Sequence, residues 1–452
     1  MFSRLKTFFT HPGDRFRAPS RIFWTGLIVR VLYITLARSY RVKPILDHFQ
    51  FGWELGRIAR ALATGYGYAD PFMGHTGPTA WIPPLYTLML AGVFKLFGVY
   101  TPFSAWMILT INSIFSAGIA LAVYEIAARC YDANGHGRRV ALWSAWLWAL
   151  YPAAIQYAVH WIWDMSLTTF LFAWVLVVSL RVRNVGEAPG ISGQKTSLWA
   201  LFGLLWGLIA LSNPSLLLVL PACAIWMLWP ARRPLPTLAA AGAKALLAAL
   251  IFAACLTPWV WRNWIAFHAF IPTRSNLGAE LYVSTLEEKD GFTWGAVVPL
   301  SESHPDFLRY KSLGEIAYCR EKGTLAMVNI HRHPRRIAGW MLKRFYFYWA
   351  SVPHPFEKSP LIEYAREINF GFFSVSGILG LLLSIRRRVP AAWLFAAIFL
   401  FQPLLYYAIT VQSRFRHPLE PLIDIFTVFL FQSAERSRRK SSVPAETTLA
   451  EA

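Results

Sequence analysis

Apolar residues fall in long runs separated by short basic stretches. At about 20 residues per crossing, runs able to span a bilayer lie at 22–38, 103–128, 139–159, 164–182, 197–212, 214–230, 239–262, 367–385, 390–411 and 417–433. Two further segments, PPLYTLMLAGVFKLFG from Pro83 and RIAGWMLKRFYFYWA from Arg336, are short and carry Lys95 or Lys343 and Arg344, which suits helices lying along the interface. The pattern predicts an all-α membrane protein: a polytopic bundle of about 10–12 transmembrane helices plus interfacial helices, with a small outer-face segment. After Asp47 the period changes. Phe51, Leu55, Ile58, Ala59 and Leu62 recur at helical spacing while Glu54, Arg57 and Arg60 fall off that stripe, so an amphipathic helix is predicted, stopped by Gly65. GYGYADPFMGHTGP then reads as a turn-rich loop into the Pro83 helix.

Composition supports this class. The 452 residues are 56% hydrophobic, 16% aromatic and only 15% charged, too apolar for an ordinary soluble enzyme. The net charge of +20 sits mostly in clusters between apolar runs, as at a membrane surface, so nucleic acid is not an expected partner. Four cysteines give neither a disulfide framework nor a C-x-x-C site, since Cys223 and Cys255 lie inside apolar runs. The basic N-terminus precedes the first run without a clear cleavage site and reads as a retained signal-anchor.

Charge also orients the chain. If the two short segments do not cross, the N-terminal cluster, Arg129/Arg138/Arg139, Arg181/Arg183, Arg232/Arg233, the RRR at 386–388 and ERSRRK share the cytoplasmic side. Asp47, Asp164, Arg262, the polar stretch 263–335 and SRFRHP then face outward. The expected organisation is a transmembrane module, 1–262, whose first outer loop, 39–102, carries Asp47. A cap segment, 263–335, follows; then come interfacial and transmembrane helices, 336–433, and a disordered cytoplasmic tail, 434–452. GEAPGISGQKTS reads as a flexible cytoplasmic loop, and no internal repeat is seen.

Few residues carry chemistry. Asp47 is either a general base at the membrane boundary or the cap of the helix it precedes. Asp164, in HWIWDMSLTTF, is a second outer carboxylate or a helix cap. Arg262, Arg414 and Arg416 stand at outer boundaries where cations are sparse; either they bind phosphate through their planar fork or they snorkel to headgroups. Arg30, in mid-span, pairs internally or lines a polar cleft. HRHPRR at 331–336 is better read as a helix end than as a metal site, and no H-E-x-x-H, P-loop or nucleotide-binding fingerprint is present.

Taken in order, Asp47 followed by Phe51, PPLYTLMLAGVFKLFG, LYPAAIQYAVHWIWDMSL, GLLWGLIALSNPSLLLVLP, TPWVWRNWIAFHAFIPTRSNLGAELY and RFRHPLEPL resemble the GT-C superfamily of membrane glycosyltransferases. The likeness is to bacterial relatives of the dolichyl-phosphate-mannose-protein mannosyltransferases and the lipid A aminoarabinose transferases, and it spans nearly the whole chain. It implies a polyprenyl-phosphate-linked sugar donor, an outer-face lipid, glycan or protein acceptor, and a cell inner-membrane location. Asp47 would be the base of an inverting transfer and Asp164 would orient acceptor or sugar. Arg262, Arg414 and Arg416 would stabilise the departing phosphate, with Asn276 and Gly278 in a sugar-facing turn. Relatives carry a second acid after the first and a Lys or His before the double proline; here those positions are His48 and Ile82, leaving His75 or Arg57 to neutralise phosphate. No cofactor is fixed, and a divalent cation is left open. The alternatives are a lipid or solute transporter, which should place functional charges near mid-membrane, and a noncatalytic scaffold.

Overall fold

The computed structural model describes residues 19–131, 137–187, 195–228, 238–286, 304–352 and 359–441. The basic N-terminus, Arg232 and Arg233, most of GEAPGISGQKTS and the tail beyond Ser441 lie outside these residues. The described chain is helical without a strand; one isolated bridge joins Ala69 to Pro78.

Helices α1 (Pro19–Leu36), α4 (Pro102–Tyr131), α5 (Gly137–Leu150) and α7 (Met165–Val182) pack into the first half of the bundle, with α4 touching the other three. Helix α8 (Thr196–Ala210) lies against α10 (Leu238–Phe267). The second half pairs α15 (Pro360–Arg386) with α18 (Glu420–Ser441). Among the described residues, four helical stretches are both long and apolar enough to cross a membrane: Pro102–Tyr131, Met165–Val182, Ala241–Phe267 and Pro360–Arg386.

Several other apolar runs are broken, and proline accounts for the breaks. Its ring removes one backbone donor and disfavours the helical conformation of the residue before it. The run 139–159 splits at Tyr151 into α5 and α6 (Pro152–Val159). The run 214–230 opens as a 3-10 turn, Pro214–Val219, before α9 (Leu220–Leu228). Pro403 separates α16 (Ala392–Phe401) from α17 (Leu404–Ala408), and a 3-10 turn, Ser413–Leu419, precedes α18.

The break after α5 explains Arg30. Its buried guanidinium donates to Ala149 O at 2.7 Å and Trp148 O at 3.4 Å, as well as to Gly26 O of its own helix. The cation thus meets the end carbonyls of α5, where the helix dipole favours positive charge.

The two ends of the bundle differ in chemistry. At one, Glu125 accepts from Arg129 and Arg181, Arg129 also reaches Glu187, and Arg387 donates to Ser433 Oγ. These basic residues are among those the charge pattern groups on one side. The opposite end carries α2 (Glu54–Ala63), α3 (Pro84–Phe97) and the cap helices α11 (Leu277–Val283), α12 (Pro305–Leu313) and α13 (Glu315–Arg332). The C-terminal end of α14 (Pro334–Ala350) docks there too, with Arg344 donating to Ala408 O and Ser284 O. HRHPRR falls at the junction of α13 and α14, where His333 ends one helix and His331 bonds to Met327 O.

Small residues set how closely helices approach. A Cβ on Gly380 of α15 would stand 2.1 Å from Phe426 O of α18, whereas one on Gly371 would meet nothing within 4 Å. Gly380→Val is therefore expected to lower stability by about 1–3 kcal/mol, while Gly371→Ala leaves it nearly unchanged. Thermal unfolding in detergent reads both, and an unaltered Gly380→Val midpoint would contradict the α15–α18 packing.

Candidate functional site

The amphipathic helix α2 forms as the pattern predicts, but its polar side does not simply face water. Glu54, Arg57 and Arg60 form a stripe at intervals of three residues, and polar groups from distant segments meet it.

The turn before α2 is strained. Leu46, Asp47 and His48 have φ of 49°, 52° and 54°, and Gly52 and Trp53 follow at 98° and 53°. Left-handed conformations at non-glycine residues cost about 1–3 kcal/mol each and persist only where surroundings fix them. Here Phe51 is buried against Phe94 and Tyr100, His48 stacks on Tyr100 at 4.2 Å, and Arg57 donates to Leu46 O at 2.8 Å. Asp47 does not cap α2, whose N-cap is Trp53. Its Oδ1 accepts from Arg60 at 2.6 Å and its Oδ2 lies 3.3 Å from Arg57 Nε. Arg57 is fully buried, and its Nη1 has no hydrogen-bond partner among the described residues.

Beside this turn lies a cleft of about 760 Å³ lined by Asp47, Arg60, Tyr66, Asp70 and His75, among others. Sequence reading passed over Asp70. Its Oδ1 accepts from the backbone N–H of Thr76 at 2.8 Å and Gly77 at 3.0 Å, and its Oδ2 bonds to His75 Nδ1 at 2.9 Å.

A second polar group gathers at the other end of the stripe. Asp164 stands at the N-cap position of α7, yet its carboxylate caps no backbone N–H and instead accepts from Thr168 Oγ1 at 3.1 Å. The positive charges of Arg414 and Arg274 lie near enough to act on it. The pKa of Glu54 is raised, first by burial, with Arg57 and Arg274 pulling it down and Glu280 pushing it up. The Arg414 guanidinium lies 3.4 Å over the centre of the Trp163 ring, and burial lowers its pKa to about 10 against the fields of Asp164, Tyr157, Glu54 and Glu280. Glu54 and Asp164 are half-buried, each keeping part of its surface open. Asn276 completes the group, accepting from Arg274 Nε at 2.5 Å and donating to Glu280 at 3.1 Å, while Arg274 Nη2 reaches Glu280 at 3.2 Å.

The remaining sequence candidates lie elsewhere. Arg262 donates to Thr79 O and Tyr68 O, ringed by Tyr68, Trp259 and Phe267, so it fastens α10 to the first loop. Arg416, 1% exposed, is bound by Glu420, Ser374 Oγ and Phe370 O inside the α15–α18 pair. Gly278 admits α13 closely, since a Cβ there would stand 2.1 Å from Cys319 O. Near Arg416, His417 and Asp424 are buried, and neither ring nitrogen nor either carboxylate oxygen has a hydrogen-bond partner among the described residues.

Glu315, also absent from the sequence candidates, holds the cap in place. This buried carboxylate accepts from Thr79 Oγ1 at 2.5 Å, Ala80 N at 2.7 Å, Ser275 Oγ at 2.6 Å and Tyr310 OH at 2.8 Å. It joins the first loop, the residues after α10 and the cap helices. Among the described residues, no three of His, Cys, Asp and Glu group closely enough to hold a metal ion.

No family model matches the chain, and no curated protein sequence does. Solved structures match it in fold. The chain is similar to the archaeal oligosaccharyltransferase AglB from Archaeoglobus fulgidus, in complex with an inhibitory peptide and a dolichol-phosphate, at 15% identity and a TM-score of 0.52, over 95% of this chain and 52% of that one. The fold is of the GT-C type. The A. fulgidus enzyme tethered to an acceptor peptide with the NVT sequon matches at 15% identity and a TM-score of 0.52, over 93% and 50% of the two chains. Its complex with zinc and sulfate matches at 14% and 0.50, over 92% and 50%. This chain spans about half the length of those structures.

One prediction follows from Glu54. Because burial raises its folded pKa above that of the unfolded chain, the folded protein holds this proton more tightly, and stability falls as pH rises from the ordinary glutamate range through the raised value. Glu54→Gln is expected to flatten that fall and to raise the unfolding midpoint at neutral pH. Parallel melting curves of variant and parent across pH would refute the assignment.

Proposed function

We propose that this chain is a membrane glycosyltransferase that moves a sugar from a polyprenyl-phosphate donor to an acceptor on the outer face of a bacterial inner membrane. The observation that carries the proposal is Arg414. Brought from the C-terminal part of the chain, its guanidinium lies 3.4 Å over the centre of the Trp163 ring, near enough to Asp164, Glu54 and Glu280 for their charges to act on it. A guanidinium packed over an aromatic ring can still offer its N–H groups to a phosphate. Support also comes from the GT-C fold and from the dolichol-phosphate and acceptor peptide bound by the A. fulgidus enzyme.

In this reading Arg414, with Arg274 nearby, takes the lipid phosphate and meets the negative charge that grows on its oxygen as the anomeric bond breaks. Asp164 and Glu280 accept hydrogen bonds from the sugar and keep the guanidinium groups in position, with Asn276 tying Arg274 to Glu280. The acceptor enters from the opposite side of the anomeric carbon, so the transfer inverts. Asp47 fixes Arg60 and, through Arg57, the start of α2. A divalent cation does not fit the residues around Asp47, because both carboxylate oxygens face guanidinium groups and the neighbouring His48 is stacked on Tyr100. No step is assigned to one.

The transporter reading draws on a different observation, the buried Asp424, whose carboxylate oxygens have no hydrogen-bond partner among the described residues, beside His417, which lies 3.7 Å from Glu420. The test separates the two. Purified protein is given undecaprenyl-phosphate carrying labelled mannose or aminoarabinose, together with extracted envelope acceptors. Labelled product is expected from the parent, with Arg414→Ala lowering the rate by roughly 10²-fold or more and Arg414→Lys falling between. Product formation indifferent to Arg414→Ala would sink the phosphate role, and vesicle flux without any sugar transfer would favour the transporter.

A further inference from the structure

We propose that the basic end of α14 and its exposed apolar face form a docking surface for anionic phospholipids, which fastens the cap to the membrane. It involves none of the residues gathered around Arg414.

Charge sets this surface apart. From Lys322 to Phe356 the chain holds no acidic residue, and five Arg and Lys fall between positions 332 and 344. Such residues are sparse outside the cytoplasmic face of a membrane. Among the described residues, no helix between α10 and α14 is long and apolar enough to cross, so this basic segment stays on the side of the cap. His331, Arg332, His333, Arg335 and Arg336 are all exposed. Two other cap cations meet acids instead, Arg309 reaching Glu321 and Lys322 reaching Asp306, each at 2.7 Å.

The local backbone makes this concentration of charge costly. Arg335 and Arg336 stand in the first turn of α14, which has no acid and where the helix dipole disfavours cations. The N-cap, His333, gives the first-turn N–H groups no side-chain acceptor. An anionic headgroup at this end offsets the repulsion and supplies the missing acceptor oxygens.

The rest of α14 divides by side. Ile337, Trp340, Arg344 and Tyr348 recur at helical spacing and are buried. On the far side Leu342 is 71% exposed, Phe345 51% and Tyr346 62%. Arg336 and Lys343, seven residues apart, lie two turns from each other along one edge between these faces. A helix with cations bordering an exposed apolar face is suited to a membrane surface, whereas a solvated helix end would not carry that face.

The neighbouring element points to lipid as the occupant. Helix α14 packs against α15, which is able to cross a membrane and whose first turns expose Leu361, Ile362 and Tyr364. An apolar face on a helix packed against a span meets acyl chains, and the cations at its end meet headgroup phosphates. Binding there bears on the cap directly. Asn329, near the end of α13, donates to Thr285 Oγ1 at 3.1 Å, and Arg344 donates to Ser284 O, both just beyond α11.

The test places the full-length protein in phosphatidylcholine nanodiscs that contain either a photoreactive phosphatidylglycerol or a photoreactive phosphatidylcholine, and locates labelled peptides by mass spectrometry. The segment 325–346 should take at least about tenfold more label from phosphatidylglycerol, and Arg332→Gln and Arg335→Gln should each lower that preference by about fivefold. Both substitutions are exposed and should melt like the parent. Lys311→Gln, on the exposed surface of α12, should leave the preference unchanged. Equal labelling by the two lipids, or a preference that survives the paired arginine substitutions, overturns the proposal. So does an equal loss in Lys311→Gln, which would mark the diffuse field of the cap rather than a site. A preference abolished by millimolar inorganic phosphate at constant ionic strength would show a site for free anions and overturn the lipid assignment. None of these outcomes bears on the transferase reading.

Discussion

A guanidinium with no surface in water must find its oxygens inside the protein, and Arg57 imposes that demand at the centre of this molecule. It lies midway along the polar stripe of α2, between a glutamate on one side and an arginine on the other. Asp47 and Leu46 O meet it, but only because the backbone from Leu46 to Trp53 adopts conformations that most residues avoid. The strained turn, the aromatic seat of Phe51 and the fixed direction of α2 are parts of one solution. The cleft lined by Asp47, Arg60, Asp70 and His75 inherits a wall from it, and the group around Arg414 meets the same helix at Glu54.

The apolar runs were legible because lipid and the bundle interior demand the same chemistry over a fixed thickness, and they located the helices well. Their interruptions were present in the sequence as Pro152, Pro214, Pro403 and Pro418, yet the runs read straight through them. Hydrophobicity does not record whether a span is one helix or two pieces. Arg30 shows what such a break permits, because the carbonyls freed at the end of α5 accept a cation that an unbroken helix would have excluded.

The polar residues were legible as candidates but not as partners. Asp164, Arg414 and Asn276 fall in one group, whereas Arg262 and Arg416, identical to Arg414 in residue type and boundary position, are absorbed in holding helices and loops together. Local sequence cannot separate these cases, since the difference lies in which distant carbonyl or carboxylate arrives. Glu315 looks like any acid in a first helical turn, and its four donors come from three separate segments. Asp70 had a weak local signal, an acid opening a glycine-rich loop that also holds a histidine, and the reading of that stretch as turns concealed it.

The buried acids of α18 bear on how the protein is made. A carboxylate near the middle of a helix entering a bilayer opposes insertion by about 2.5–3.5 kcal/mol, and α18 carries Glu420 at its start and Asp424 one turn later. Arg416, four residues before Glu420, pairs with that acid from its own segment, and Ser374 Oγ and Phe370 O of α15 in turn hold Arg416. Synthesis runs from the N-terminus, so α15 emerges first, and the nascent α18 is drawn to a waiting helix rather than released alone among lipid tails.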